Sequence, residues 1–139
     1  MSHVVRITKR SVSVDAVIKA TRSKSAGGIV VFIGTVRNRS NRMRVKRLEI
    51  EAAEELARRD LARIAGAASK CFEVCKISVC HRIGDLRVGD VIIALAVSSP
   101  HRKDAFAACK FMIDELKKTT PIWKKECGQG KEIWVEPER

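Results

Sequence analysis

The longest uninterrupted apolar run in this chain, Val91–Val97, sets the first limit on what it can fold into. A membrane-spanning helix needs about 20 apolar residues, so the run reads instead as a strand buried in a protein core. Ile29–Ile33, ending at Gly34-Thr35-Val36-Arg37, reads the same way. Apolar residues also recur at helical spacing: Ala57, Leu61, Ile64, Ala65 and Ala68 between Ala53 and about Ser69, then Phe106, Cys109, Ile113 and Leu116. The second of these helices must stop before Pro121, and Ser99-Pro100 supplies its expected start, serine as cap and proline at the first helical position. His3–Thr8 reads as a strand, and Ser13 as the cap of a helix from Val14 to about Arg22. Leu48 and Ile50 alternate with Arg47, Glu49 and Glu51 as in a half-buried strand, and Val74–His81 and Glu132–Val135 complete the strand set. Gly84-Asp85-Leu86 and Val88-Gly89-Asp90 read as turns, and Asn38–Arg44 as a flexible polar loop. Strands outnumber helices without alternating regularly with them. The expectation is therefore one α+β domain over residues 1–139, a mostly antiparallel sheet with packed helices.

Charge narrows the partners. Lys and Arg number 28 against 16 Asp and Glu, a formal net charge of +12. Such an excess favours nucleic acid, a phosphorylated small molecule or an acidic protein. Aromatic residues are only 4 % of the chain, which leaves little for base stacking, and no nucleic-acid-binding motif is present. Nucleic-acid binding thus stands as the rival reading. The N-terminus, Met1-Ser2-His3-Val4-Val5-Arg6, lacks the apolar core of a signal peptide, so a cytoplasmic protein without a membrane is expected. The cysteines Cys71, Cys75, Cys80, Cys109 and Cys127 form no even, tightly spaced framework and read as free thiols. The spacing of Cys71, Cys75, Cys80 and His81 matches no standard zinc pattern, so neither metal nor cofactor is expected.

Three clusters carry chemistry. Arg37-Asn38-Arg39 leaves the end of a buried strand, a position suited to clamping an anion and equally to a solvated turn. His101 and Arg102 follow Ser99-Pro100 at a predicted helix start, where a cation is unfavourable unless an anion joins it. The strongest cluster runs from Leu116 to Glu126. Pro121 keeps Thr120 extended, so Lys117 lies in the last helical turn and Lys124 on an extended arm. A chain reversal there would let both ammonium groups reach one pocket. Repulsion and burial lower a lysine pKa while the helix C-terminus raises it, and the sequence leaves that contest open. His81-Arg82 reads as structural. The chain has no Walker loop, no GxGxxG fingerprint, no nucleophilic serine motif and no carboxylate pair placed for acid–base work. Chemistry here would rest on lysine, arginine and histidine, which suits a nucleophile arriving from outside.

In this order the clusters resemble the large, catalytic subunits of molybdopterin synthase. The matching stretches are Gly28-Ile29-Val30-Val31-Phe32-Ile33-Gly34-Thr35-Val36-Arg37-Asn38, His81-Arg82-Ile83-Gly84-Asp85-Leu86 and Ser98-Ser99-Pro100-His101-Arg102. They continue with Lys117, Pro121-Ile122-Trp123-Lys124-Lys125-Glu126 and Trp134-Val135-Glu136. Each piece alone is weak; the ordered set is specific. The resemblance implies an α/β-hammerhead fold and a homodimer within a heterotetramer. It implies a small ubiquitin-like sulfur-carrier subunit whose Gly-Gly C-terminus, as a thiocarboxylate, delivers sulfur to cyclic pyranopterin monophosphate. By the same resemblance Lys117 and Lys124 are the catalytic lysines, and Arg37, His101, Arg102 and Lys125 bind substrate. Arg139 is the candidate to reach a neighbouring pocket. A non-catalytic scaffold that only docks the ubiquitin-like protein is the other alternative. The chain departs from the family pattern at Glu49-Ile50-Glu51-Ala52-Ala53, where aromatic residues are usual, and contains no tyrosine.

Overall fold

A computed structural model describes residues 2–135, which begin with β1 (Ser2–Thr8), the short helix α1 (Val14–Lys19) and β2 (Gly28–Thr35). β3 (Arg47–Ala52) leads into α2 (Glu54–Cys71), followed by β4 (Lys76–Arg82), β5 (Gly84–Arg87) and β6 (Val91–Ser99). The long helix α3 (Arg102–Thr119) then precedes β7 (Ile122–Gly128) and β8 (Lys131–Trp134). Two four-stranded sheets result, ordered β1-β4-β6-β2 and β5-β3-β7-β8. Every pairing is antiparallel except β1 with β4. The fold is α+β, and no helix among the described residues is long and apolar enough to cross a membrane.

The apolar run of β6 is explained by what covers its two sides. Ile93, Leu95 and Val97 join a core that includes Leu48 and Ile50 of β3, Ile64 and Ala68 of α2, and Met112 of α3. Ala94 and Ala96 point the other way and meet Val17 of α1 and Cys80 of β4. Small residues on that side leave room for a helix to approach closely. Helix α2 buries the stripe that its spacing marks, Ala57, Leu61, Ile64, Ala65 and Ala68, whereas α3 is turned from the expected face: Ala105, Ala108, Cys109 and Met112 are buried, Ile113 and Leu116 only partly, and Phe106 is exposed.

Four local expectations need correction. Ser99 does not cap α3. It is the last residue of β6, paired with Gly28 of β2, and its hydroxyl donates to the His101 carbonyl. The helix starts at Arg102 with His101 as an N-cap that makes no side-chain cap bond. Gly84-Asp85-Leu86 forms strand β5 rather than a turn, because β3 pairs with it from Arg47↔Arg87 to Ile50↔Gly84 and Leu86 is wholly buried. The helix after Ser13 ends at Lys19, short of Arg22, where the Thr21 hydroxyl donates 2.7 Å to the Ile18 carbonyl. The segment Asn38–Arg44 is anchored: Met43 is buried, the Ser40 hydroxyl donates 2.9 Å to Glu126, and Arg42 donates 3.0 Å to the Trp134 carbonyl.

Candidate anion-binding site

The register of β2 on β6 fixes where the cationic clusters lie. Gly28 sits opposite Ser99 and Thr35 opposite Val91. Arg37 follows one end of this pair, while His101 and Arg102 follow the other, where a Cβ on Gly28 would stand 4.0 Å from the Arg102 Cβ. Along strands rising about 3.4 Å per residue, the two ends are roughly 24 Å apart. Within one chain, Arg37 and the His101-Arg102 pair therefore do not meet.

Helix α3 spans that distance. It starts at the Gly28 end and runs beside β2, so that Phe106, Cys109 and Ile113 line a groove of about 320 Å³ with Val30, Val31 and Phe32. Its last turn, with Lys117, thus arrives at the end of the sheet where Arg37 emerges. The terminus is pinned from α2: Asp60 accepts from the hydroxyls of Thr119 at 2.8 Å and Thr120 at 2.7 Å, and from Arg63 at 2.8 Å. Burial acts to raise the Asp60 pKa, but hydrogen bonds from Thr120, Arg63 and Thr119 outweigh it and hold the carboxyl below its ordinary range. Thr120 is extended, as the following proline demands, and ends the helix with its N–H on the Leu116 carbonyl.

After Pro121 the chain enters β7, and the pleat decides which lysine faces the core. Lys124 pairs with Ile50, a buried residue of β3, and shares its side of the sheet. Its charge reaches His81 of β4, which is only 2 % exposed. His81 is opposite Ile93, near the Val91 end of β6. Arg37, Lys117 and Lys124 are therefore gathered at one end of the first sheet.

Lys125 lies on the opposite side of β7 from Lys124. It pairs with Glu49 at 2.8 Å and Glu132 at 3.2 Å and sits 5.4 Å from the Trp134 ring centre. Glu49, then Glu132, raise its pKa, and Lys125, then Arg47, hold Glu49 below the usual carboxylate range. Both carboxylates engage the Lys125 ammonium on the face of β7 opposite Lys124, so the two lysines do not share a side of the sheet. Arg139 and Glu136 lie outside the described residues. Sequence reasoning read His81 as structural, in keeping with its burial, and missed the anchoring of α3 by Asp60. The alternation Ile77, Val79, His81 was a sign that His81 faces inward, whereas Asp60 lies on the exposed-looking flank of α2 and gave no signal.

Burial raises the thiols of Cys80 and Cys109, the latter to about 11. Neither is a ready thiolate nucleophile. An α+β domain with lysine and arginine toward one end of a sheet is a class of protein suited to binding an anion. Comparison with known proteins gives the particular family. Residues 7–119 match the family model described as MoaE protein. The chain is 41 % identical over 129 residues to the molybdopterin synthase catalytic subunit of Bacillus subtilis, covering 93 % of this chain and 82 % of that one. The crystal structure of molybdopterin synthase from Staphylococcus aureus superimposes with a TM-score of 0.90 at 33 % identity, over 95 % of this chain and 96 % of that one. A Helicobacter pylori structure, a complex of subunits 1 and 2 of molybdopterin-converting factor, has the same fold with a TM-score of 0.77 at 23 % identity, over 94 % and 89 % of the two chains. This chain belongs to the MoaE protein family.

Proposed function

We propose that this chain is the catalytic subunit of a molybdopterin synthase and moves sulfur from a small partner protein to cyclic pyranopterin monophosphate, forming the dithiolene of molybdopterin. The observation that carries the reading is the common location of Lys117 and Lys124, on separate elements, at the sheet end where Arg37 emerges. The partner is a ubiquitin-like subunit whose C-terminal thiocarboxylate supplies the nucleophile, in keeping with the two-subunit complex of the Helicobacter pylori relative. Lys117 stabilises charge and exchanges protons beside the partner's tail, and Lys124 holds substrate and transfers a proton. Arg37 takes the phosphate or pterin side through charge-assisted hydrogen bonds. His101 and Arg102, about a strand's length away in the same chain, act on the pocket of a second copy in a homodimer.

Reconstitution with thiocarboxylated partner and precursor tests the assignment. Lys117→Ala should nearly abolish product while leaving partner binding intact, and Lys124→Ala should be severely impaired. A wild-type rate in either variant overturns the role given to that lysine, and a wild-type rate in both overturns the enzymatic reading.

A further inference from the structure

Between β2 and β3 the chain gathers positive charge with no acid to offset it. Residues 37–46 include Arg37, Arg39, Arg42, Arg44 and Lys46 and no Asp or Glu. The segment is a small hairpin. The Val45 N–H donates to the Asn38 carbonyl at 2.8 Å and the Ser40 N–H to the Met43 carbonyl at 2.9 Å, so Arg39 and Arg44 are directly opposed. These bonds flank the pair rather than join it, which is the closer kind of antiparallel pair, with Cα atoms about 4.5 Å apart. Like charges placed so repel one another.

The hairpin is anchored on β7 and β8. Met43 and Val45 are buried, the Ser40 hydroxyl donates 2.9 Å to Glu126, and the Arg44 N–H reaches the Gln129 side-chain oxygen at 3.3 Å. The Lys46 N–H donates 2.9 Å to the Cys127 carbonyl, and Arg42 donates 3.0 Å to the Trp134 carbonyl. With the apolar residues turned in, Arg39, Arg42, Arg44 and Lys46 are left exposed. Neighbouring carboxylates are engaged elsewhere: Glu126 by Ser40, Glu132 by Lys125, and Glu49 by Lys125 and Arg47. Among the described residues no carboxylate pairs with Arg39, Arg42, Arg44 or Lys46. The tie to Glu126 sets the hairpin two residues along β7 from Lys124, roughly 7 Å on a strand.

We propose that this hairpin is the docking surface for an acidic patch on the small protein subunit, beside that subunit's C-terminal tail. The inference rests on the sulfur-transfer reading, which requires a protein at the sheet end where Arg37, Lys117 and Lys124 gather. A partner carboxylate between Arg39 and Arg44 turns a repulsive pair into a bridged one. Because the hairpin is already anchored, little of it remains to be ordered on binding. Nucleic acid is the poorer fit, since residues 37–46 carry no aromatic side chain on which a base could stack.

Arg39→Glu puts a carboxylate opposite Arg44, and Arg44→Glu does the same in reverse. Both variants should melt no lower than the wild type, because an ion pair replaces a repulsion. In stopped flow at low salt, their association with the small subunit in its carboxylate form should slow about tenfold, with dissociation much less affected. Lys19→Glu, on α1 against β4 and β6, makes the same change in net charge and should slow association about twofold at most. With saturating thiocarboxylated subunit, kcat should stay at the wild-type value in all three. Equal slowing in Lys19→Glu assigns the effect to whole-molecule charge and overturns the proposal, as does an unchanged on-rate in both hairpin variants. Lower melting temperatures in both variants overturn it too, since the arginines then do not face each other. So does an Arg39-dependent affinity for a mixed-sequence RNA oligonucleotide that exceeds the affinity for the small subunit. The two readings fail separately. A wild-type protein that docks the subunit through the hairpin yet forms no product removes sulfur transfer alone, whereas normal product with hairpin-independent association removes only the docking surface.

Discussion

His81 leaves a mark on stability. Its pKa falls from 6.5 to about 4 in the folded chain, with burial the larger cause. Between those values the unfolded chain takes up a proton that the folded one refuses, so acidification favours unfolding. The contribution is intact above about pH 6.5, declines as pH falls toward 4, and amounts to at most about 3 kcal/mol. Thermal melts across this range should show a downward slope toward acid that flattens in His81→Gln. The lysines illustrate how neighbouring residues diverge. Lys124 and Lys125 are chemically identical and adjacent, yet one shares a face with Ile50 and the other with Glu49. No residue-level property separates them; the pairing partner does.

At the scale of elements, the site depends on where α3 stops. The helix end is set locally by Pro121, but its attachment to α2 rests on one carboxylate, Asp60, which receives Thr119, Thr120 and Arg63. Hydrogen bonds to a charged group contribute about 1.5–3 kcal/mol in favourable settings. Asp60→Ala should lower the melting temperature and reduce turnover by loosening the turn between Lys117 and Lys124, without altering the affinity for substrate at Arg37. An unchanged kcat would show that the terminus needs no such anchor. The end of β7 packs closely on the segment that leads into β3, since a Cβ on Gly128 would stand 2.3 Å from the Arg44 carbonyl oxygen. Gly128→Ala forces those backbones apart and should cost about 1–3 kcal/mol by denaturant unfolding. Strand β5 illustrates the limit of local composition. Gly84 and Gly89 both have positive φ, and their neighbourhood reads as turns, yet the edge of β3 recruits the residues between them into the ladder.

For the whole molecule, the net charge of +12 acts at long range. An acidic ubiquitin-like partner should associate faster at low salt, with the salt dependence in the on-rate. Stopped-flow association that ignores ionic strength would remove electrostatic steering from the account. Two apolar periods were legible from the start. The run Val91–Val97, the alternation at Leu48 and Ile50, and the stripe of α2 specify their elements because burial enforces periods of 2 and 3.6, whereas in α3 the spacing marked the helix and missed the face that packs. So were the cationic clusters, since residue type is a property of sequence. Tertiary pairing alone decided which of these cations come to the same end of the sheet. The antiparallel register of β2 and β6 sends His101 and Arg102 to the far end of the sheet, and the length of α3 brings Lys117 back to the near one. Pairing of β7 with β3 puts Lys124 on the side of buried Ile50, where its charge acts on His81, a proximity between residues distant in the chain that no local pattern encodes.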